Sequence, residues 1–342
     1  MMKLRLRHSR IVILRALYLA GTLGVVACSS PTAPSGSKPP GSPDTTPALT
    51  ISCPLSTTVS SLTGQPVPVT FAAPVASGGR APIQVSCTRQ SGSLFPVGTT
   101  TVECTASDAL SISSTCSFTV AVNAVPRLSR TKFLAFGDSL TAGEVTSPAP
   151  ATQSGPFPNF TRVVVPAASY PTQLTALLRG RYSAQTAVIV VENAGWPGEL
   201  SEAGAKRLPG IMSNTGPEVL LLHEGANDLS AFGQAGVARA WAAIDAMAKE
   251  GRGRGARVFI GTLPPSRPGG KNSTPMSLIV TLNDRIRTTA AGEGAVLVDL
   301  YSALSTDVPR FIGLDGLHPT EAGYLKIAET FFEAIRATLE VR

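Results

Sequence analysis

The chain has 342 residues, enough for two domains or for one domain with appendages. Apolar residues make up 43%, which suffices for buried cores, while only 15% are charged, and 28 prolines with 32 glycines point to many loops and tethers. The formal charge of +7 is concentrated in the first 27 residues, which hold Lys3, Arg5, Arg7, Arg10 and Arg15 and no acid; the remainder has 24 basic against 22 acidic side chains, which removes any general electrostatic case for nucleic acid.

The amino end has the build of an export signal. Residues 1–15 are basic, and Ala16 to Ala27 form an apolar run that ends in small residues. Twelve residues are too few for a spanning helix, which needs about 20. A cysteine, Cys28, follows directly. Ser29 to Ala48 is Pro, Ser, Gly and Thr with almost no apolar residue, a composition that cannot bury a core and reads as a solvated tether.

From Leu49 to Asn123 the text changes to Val, Thr and Ser with alternation. Ile51-Cys53-Leu55, Ile83-Val85-Cys87, Val102-Cys104-Ala106 and Cys116-Phe118-Val120-Val122 each place apolar residues on one face at period two. Gly78-Gly79 and Pro96-Val97-Gly98 mark turns. About 75 residues of short strands suggest a small all-β sandwich of immunoglobulin type. Cys53, Cys87, Cys104 and Cys116 all fall on the inward face, so two disulfides are expected, and the three possible pairings stay open. No cysteine follows Cys116. Disulfides imply an oxidising compartment.

Residues 124–130 read as a linker, and from Thr131 to the end at 342 strands and helices alternate, as in a parallel sheet with helices on both faces. Strands are predicted over 132–136, 187–191, 219–223, 257–262 and 295–299. Helices are predicted over 170–179, 199–208, 234–249, 275–290 and 320–339. In the last, Leu325, Ala328, Phe332, Ile335 and Leu339 recur at spacings of 3 and 4 and should share the buried face.

Four strand ends carry polar or glycine-rich text, and in a parallel sheet these loops converge on one edge. They are Gly137-Asp138-Ser139-Leu140, Asn193-Ala194-Gly195-Trp196-Pro197-Gly198, Gly225-Ala226-Asn227-Asp228 and Asp315-Gly316-Leu317-His318-Pro319. A serine hydroxyl is a poor nucleophile until a base removes its proton. Beyond the leader the chain has only two histidines. His223 lies inside the apolar run Leu220-Leu221-Leu222 and reads as a satisfied structural residue. His318 sits in a loop three residues after Asp315, a spacing that lets a local turn bring the carboxylate to one ring nitrogen while the other faces Ser139. Asp138, Asp228 and Asp299 lie near strand ends and read as structural. No metal site is expected, because ligands for zinc are missing, and no phosphate-binding glycine loop or other cofactor signature appears.

Three resemblances follow from these residues. Val25-Val26-Ala27-Cys28 resembles a bacterial lipobox with Val25 in place of the usual leucine, which implies that Cys28 carries lipid; plain secretion with cleavage near Ala27 is the alternative. The segment 49–123 resembles the hyalin repeat family in Cys53-Pro54, in Gly92-Ser93-Leu94-Phe95-Pro96-Val97-Gly98-Thr99-Thr100, and in Val102-Glu103-Cys104-Thr105-Ala106-Ser107-Asp108 with Thr115-Cys116-Ser117-Phe118-Thr119-Val120. That implies an immunoglobulin-like extracellular module, either a rigid spacer or a binder of glycan or protein. The segment from 131 resembles the SGNH hydrolases, also called the GDSL esterase family, in all four of the blocks above and in their order.

The last resemblance implies a flavodoxin-like, three-layer α/β fold and hydrolysis of carboxylic esters by a Ser139–His318–Asp315 triad. It also implies an oxyanion hole made by the backbone N–H of Ser139, the backbone N–H of Gly198 or Gly195, with register from Asn193 favouring Gly198, and the Asn227 side chain. Acyl esters are the expected substrates, either short-chain, lipid-like or acetylated glycans. The expected setting is the cell envelope, with the membrane reached through a lipid anchor at Cys28, or secretion, and a monomer is expected. The alternative is a surface binding or adhesion protein with an inactive scaffold. The Pro-rich segment 144–168, with Phe157, Phe160 and Val163-Val164-Val165, either lines the acyl site or is a surface excursion.

Overall fold

The computed structural model describes residues 46–148 and 160–341. The leader, Cys28, most of the tether and Phe157 lie outside the described residues.

The β module is organised around its two long strands, Gly98–Ser107 and Ser113–Ala124, which pair antiparallel over their whole length. Gln84–Cys87 pairs antiparallel on one side and Thr57–Ser61 pairs parallel on the other, giving a four-stranded sheet. Two further two-stranded pieces complete the all-β unit. Period-two alternation turns Val102, Cys104, Phe118, Val120 and Val122 inward, where Phe95 joins them and Phe71 packs edge-on against Phe118 at 4.8 Å between centroids. The ladder sets Cys104 opposite both Cys87 and Cys116. The bridges formed are Cys87–Cys104 and Cys53–Cys116. Disulfides belong to chains that fold in an oxidising compartment. Two expectations of inward placement fail. Leu55 is 91% exposed and Val85 is also exposed. Leu55 lies past the end of its strand, where no partner strand holds the alternation.

In the larger part of the chain five parallel strands stand in the order Val190–Gly195, Lys132–Gly137, Val219–His223, Arg257–Gly261, Val296–Val298. That is the flavodoxin-like order 2-1-3-4-5. Alternate side chains enter two separate cores. Phe133, Ala135, Leu221 and Phe259 face the helices Tyr170–Arg181 and Glu321–Leu339. Leu134, Phe136, Leu220, Leu222, Val258 and Ile260 face Ser201–Thr215, Gln234–Gly253 and Met276–Gly292. Burial on both faces explains why these strands read as continuous apolar runs.

Several elements differ from expectation. The second strand starts at Val190, because Ser183–Gln185 form a 3₁₀ turn that delays it. The helix after it runs through Pro209 to Thr215, ended by Gly216 in the left-handed region. In the last helix Leu325 is 39% exposed, and the buried stripe is Tyr324, Ile327, Ala328, Phe331, Ile335 and Leu339. Ala328, Ile335 and Leu339 are buried as expected, while Tyr324 and Phe331 take the inward places expected of Leu325 and Phe332, and Thr320 caps the helix by accepting from the Gly323 N–H. Residues 127–128, expected within a linker, pair with 340–341. The Gln185 side chain holds both the N–H and the carbonyl of Leu128, and Leu128 joins the core.

Candidate active site

The first sheet strand delivers the site. Lys132–Gly137 lies inside the sheet, and its end is level with Gly195 on one side and His223 on the other. Gly137 is required by close approach, since a Cβ there would run into the His223 carbonyl and the Thr141 hydroxyl. The chain then turns at Asp138 into the four-residue helix Ser139–Ala142, and the Asp138 carboxylate accepts from the Leu140 N–H at 2.9 Å. The turn holds the Ser139 hydroxyl at the carboxyl edge of the sheet, where open α/β folds carry their sites.

The other residues singled out in the sequence lie around it. Ser139 Oγ is 2.9 Å from His318 Nε2. His318 Nδ1 is 2.6 Å from Asp315 Oδ2. Both of the latter are buried. The 315–318 turn is held from within, because Asp315 Oδ1 accepts from the N–H groups of Leu317 and His318. Asn272, which the sequence did not single out, donates from its amide to Asp315 Oδ2 at 2.9 Å. Burial pushes the Asp315 carboxyl up, yet the bonds from His318, Asn272 and the Leu317 N–H outweigh it and hold the group below its usual value. A carboxylate at Nδ1 favours the imidazole tautomer that carries its proton there, an arrangement in which Nε2 can accept from the serine hydroxyl.

Ser139, Gly198, Asn227 and His318 border one cavity of about 710 Å³. The Ser139 and Gly198 N–H groups have no acceptor among the described residues. Gly198 has a φ of +80°, which turns its amide in a direction that L-residues rarely adopt. The Asn227 amide donates to the Glu199 carbonyl at 2.9 Å and to Asp138 Oδ2 at 3.3 Å. Gly195 is in the strand instead, level with Gly137. Trp196 does not line this cavity and is 62% exposed.

Beneath the loops lies a layer of carboxylates. Asp228 accepts from both the N–H and the hydroxyl of Ser201, which pins the start of the third helix. Glu199 pairs with Arg207, whose guanidinium also reaches the Ala194 carbonyl and stacks 4.2 Å over Phe136. Asp138 is fully buried, and burial pushes it up to about 7 against the pull of the Leu140 N–H. Glu224 is pushed well above its usual value by burial and by Asp138, Glu199 and Asp228. Asp299 instead caps the helix Leu300–Ser305 and touches Arg287. His223 is buried; neither ring nitrogen makes a hydrogen bond of good geometry among the described residues, and its nearest polar support is the Thr262 backbone. Burial pushes it down to about 4, which keeps it neutral.

Two further contacts were not legible in the sequence. Glu144, the first residue of the hairpin Glu144–Pro148 and Phe160–Val164, brings Oε2 to 3.6 Å from His318 Nε2. Its other oxygen pairs with Arg162 at 3.2 Å. The hairpin therefore lines the site with these two residues, while Val163 and Val164 on it are exposed. No group of three or more His, Cys, Asp or Glu among the described residues could hold a metal ion.

The GDSL-like lipase/acylhydrolase family model matches residues 135–326, more than half the chain, and the HYR domain model matches residues 43–122. The chain belongs to the GDSL-like lipase/acylhydrolase family and is a carboxylic ester hydrolase with an amino-terminal HYR domain. Among solved structures it is similar to the lipase/acylhydrolase from Enterococcus faecalis, at 24% identity over 61% of this chain and 97% of that one, with a TM-score of 0.47. It is also similar to the acetylxylan esterase Axe2 from Geobacillus stearothermophilus, at 18% identity over 60% and 94%, TM-score 0.44. A third is the esterase EstA from Pseudoalteromonas sp., at 18% over 60% and 96%, TM-score 0.44. No curated protein matches the chain.

Proposed function

We propose that the chain is an exported, lipid-anchored serine esterase whose triad is Ser139, His318 and Asp315. The observation that carries this reading is the chain of contacts Ser139 Oγ to His318 Nε2 to Asp315 Oδ2, at 2.9 and 2.6 Å, on the border of a cavity. Ser139 Oγ attacks the ester carbonyl and gives its proton to Nε2. The N–H groups of Ser139 and Gly198 and the Asn227 amide receive the negative oxygen. Collapse breaks the C–O bond to the alcohol, which leaves with the proton from His318. Water then repeats the sequence on the acyl-serine and releases the acid.

The substrate we propose is a short acyl ester of a polar alcohol, acetylated glycans among them. Ser230, Asn272, Ser273, Thr274 and Lys271 on the cavity wall support it, since a long alkyl chain would strand these groups without water. Cys28 as the lipidated amino terminus is supported by the preceding Val25-Val26-Ala27 and by the extracellular character of a disulfide-bonded HYR domain. Residues 49–123 act as a spacer beyond the tether, and 131–342 carry the chemistry.

Fluorophosphonate labelling of the folded protein, with Ser139→Ala as control, tests the nucleophile, and a panel of p-nitrophenyl esters and acetylated glycans tests the substrate. Serine-dependent labelling with turnover falling from acetyl to long-chain esters is expected. Labelling that survives in Ser139→Ala would remove Ser139 as nucleophile, and a preference for long chains would overturn the polar substrate. Retention of Cys28→Ser in the membrane fraction would overturn the anchor.

A further inference from the structure

The triad reading leaves one charged group in the site without a role. Glu144 is 7% exposed, and its carboxylate faces the same imidazole nitrogen that receives the serine proton. At 3.6 Å the contact is too long for a strong hydrogen bond and close enough for charge to act. A neutral imidazole gains little from that carboxylate, whereas the imidazolium formed while Ser139 attacks is attracted to it. Arg162 holds Glu144 from the neighbouring strand at 3.2 Å. The Tyr324 hydroxyl fixes the Glu144 backbone by donating to its carbonyl at 2.7 Å. The carboxylate is thus braced from two elements.

Resting on the triad reading, we propose that Glu144 is a positioning residue for His318, a second carboxylate on the Nε2 side that stabilises the imidazolium formed during acyl transfer, and that Arg162 moderates it. Asp315 acts from Nδ1 and sets the tautomer. Glu144 acts from the opposite nitrogen and favours the charged ring. It forms no bond to substrate, and the proton still passes between Ser139, His318 and the leaving alcohol.

The other charged or titratable groups around His318 are Asp315 on its own loop, Asp138 at the end of the first strand, Tyr324 on the last helix and Lys271 on the cavity wall. Asp138 is pushed up by burial to about 7, inside the range of the assay. It remains in every variant below, so differences between profiles isolate Glu144 and Arg162.

The test is the pH profile of kcat/KM for a short acyl ester, followed by pH-stat, with thermal melting to verify folding. Glu144→Gln keeps the shape and the acceptor for Arg162 and removes the charge. It should move the acid limb down by about 1 pH unit and lower the plateau kcat/KM about threefold. Arg162→Met should move the limb up, and Glu144→Asp should restore it toward the parent position. Opposite displacement by the two charge removals is a signature that a merely structural pair would not give. Coincident acid limbs for Glu144→Gln and the parent would overturn the proposal. If Glu144→Gln does not fold, an unmoved or lowered limb in Arg162→Met overturns it instead. Ser139→Ala in the same assay separates the two ideas, since activity remaining there sinks the triad reading itself.

Discussion

The Asn227 amide donates to the Glu199 carbonyl at 2.9 Å and to the buried carboxylate of Asp138 at 3.3 Å. Asp138, the neighbour of Ser139 in sequence, therefore touches one of the proposed oxyanion donors and lies outside the proposed triad. The shorter bond aims the amide. The longer one is the bond an oxyanion would compete with.

Asn227→Ala should lower kcat by about 10²–10³ with a smaller change in KM, because the donor is needed most when the carbonyl oxygen becomes charged. Steady-state kinetics on a short acyl ester provide the check, and an unchanged kcat would take Asn227 out of the oxyanion hole.

Asp315→Asn should lower kcat by about 10⁴ while the fold persists. The amide oxygen can still accept from Leu317 and His318 N–H, but the amide nitrogen would face Nδ1 and favour the wrong tautomer. Asn272→Ala removes only one bond to Asp315 and should cost far less. Equal losses in the two variants would show that the orientation of Asp315, not its charge, is what matters.

Glu224→Gln should stabilise the protein increasingly as pH rises. Neither carboxylate oxygen of Glu224 has a hydrogen-bond partner among the described residues, and its folded-state pKa is raised. The folded state then holds a proton that the unfolded chain has released, so stability falls as pH rises above the ordinary glutamate value, until the folded group also ionises. The neutral amide lacks that dependence. Urea denaturation at pH 4, 6 and 8 should show the parent and Glu224→Gln nearly equal at pH 4 and diverging upward. Parallel behaviour across the range would mean that the buried carboxyl is not raised.

The two disulfides should differ in worth. Cys53–Cys116 spans 63 residues of sequence and Cys87–Cys104 spans 17. Loop-closure entropy assigns ~4 kcal/mol to the first and ~3 kcal/mol to the second. Paired alanine replacements in the full chain, compared by denaturation of the HYR domain, should rank them in that order. A reversed ranking would point to packing around Cys104, which is buried, as the larger effect.

By itself the sequence determined those features that are local or repeated. The three inner strands are apolar runs because both faces are covered, and the polar or glycine-rich text after the strand ends marks the edge at which Gly137, Gly195 and His223 stop level. Asp315 and His318 are three residues apart, so their contact is a turn property visible as spacing. Tertiary structure decided whatever joins distant segments without a repeating pattern. The cysteine pairing was one such feature: the ladder places Cys104 opposite both Cys87 and Cys116, and the bridges formed are Cys87–Cys104 and Cys53–Cys116. Packing of the last helix against the sheet decided its buried face, which takes in Tyr324 and leaves Leu325 exposed. Asn272 reached Asp315 from a loop 43 residues away. Glu144 likewise met His318 only because a hairpin folds back over the sheet edge. Such contacts leave no mark in the text, since a single carboxylate or amide in a loop reads the same whether it faces water or an imidazole.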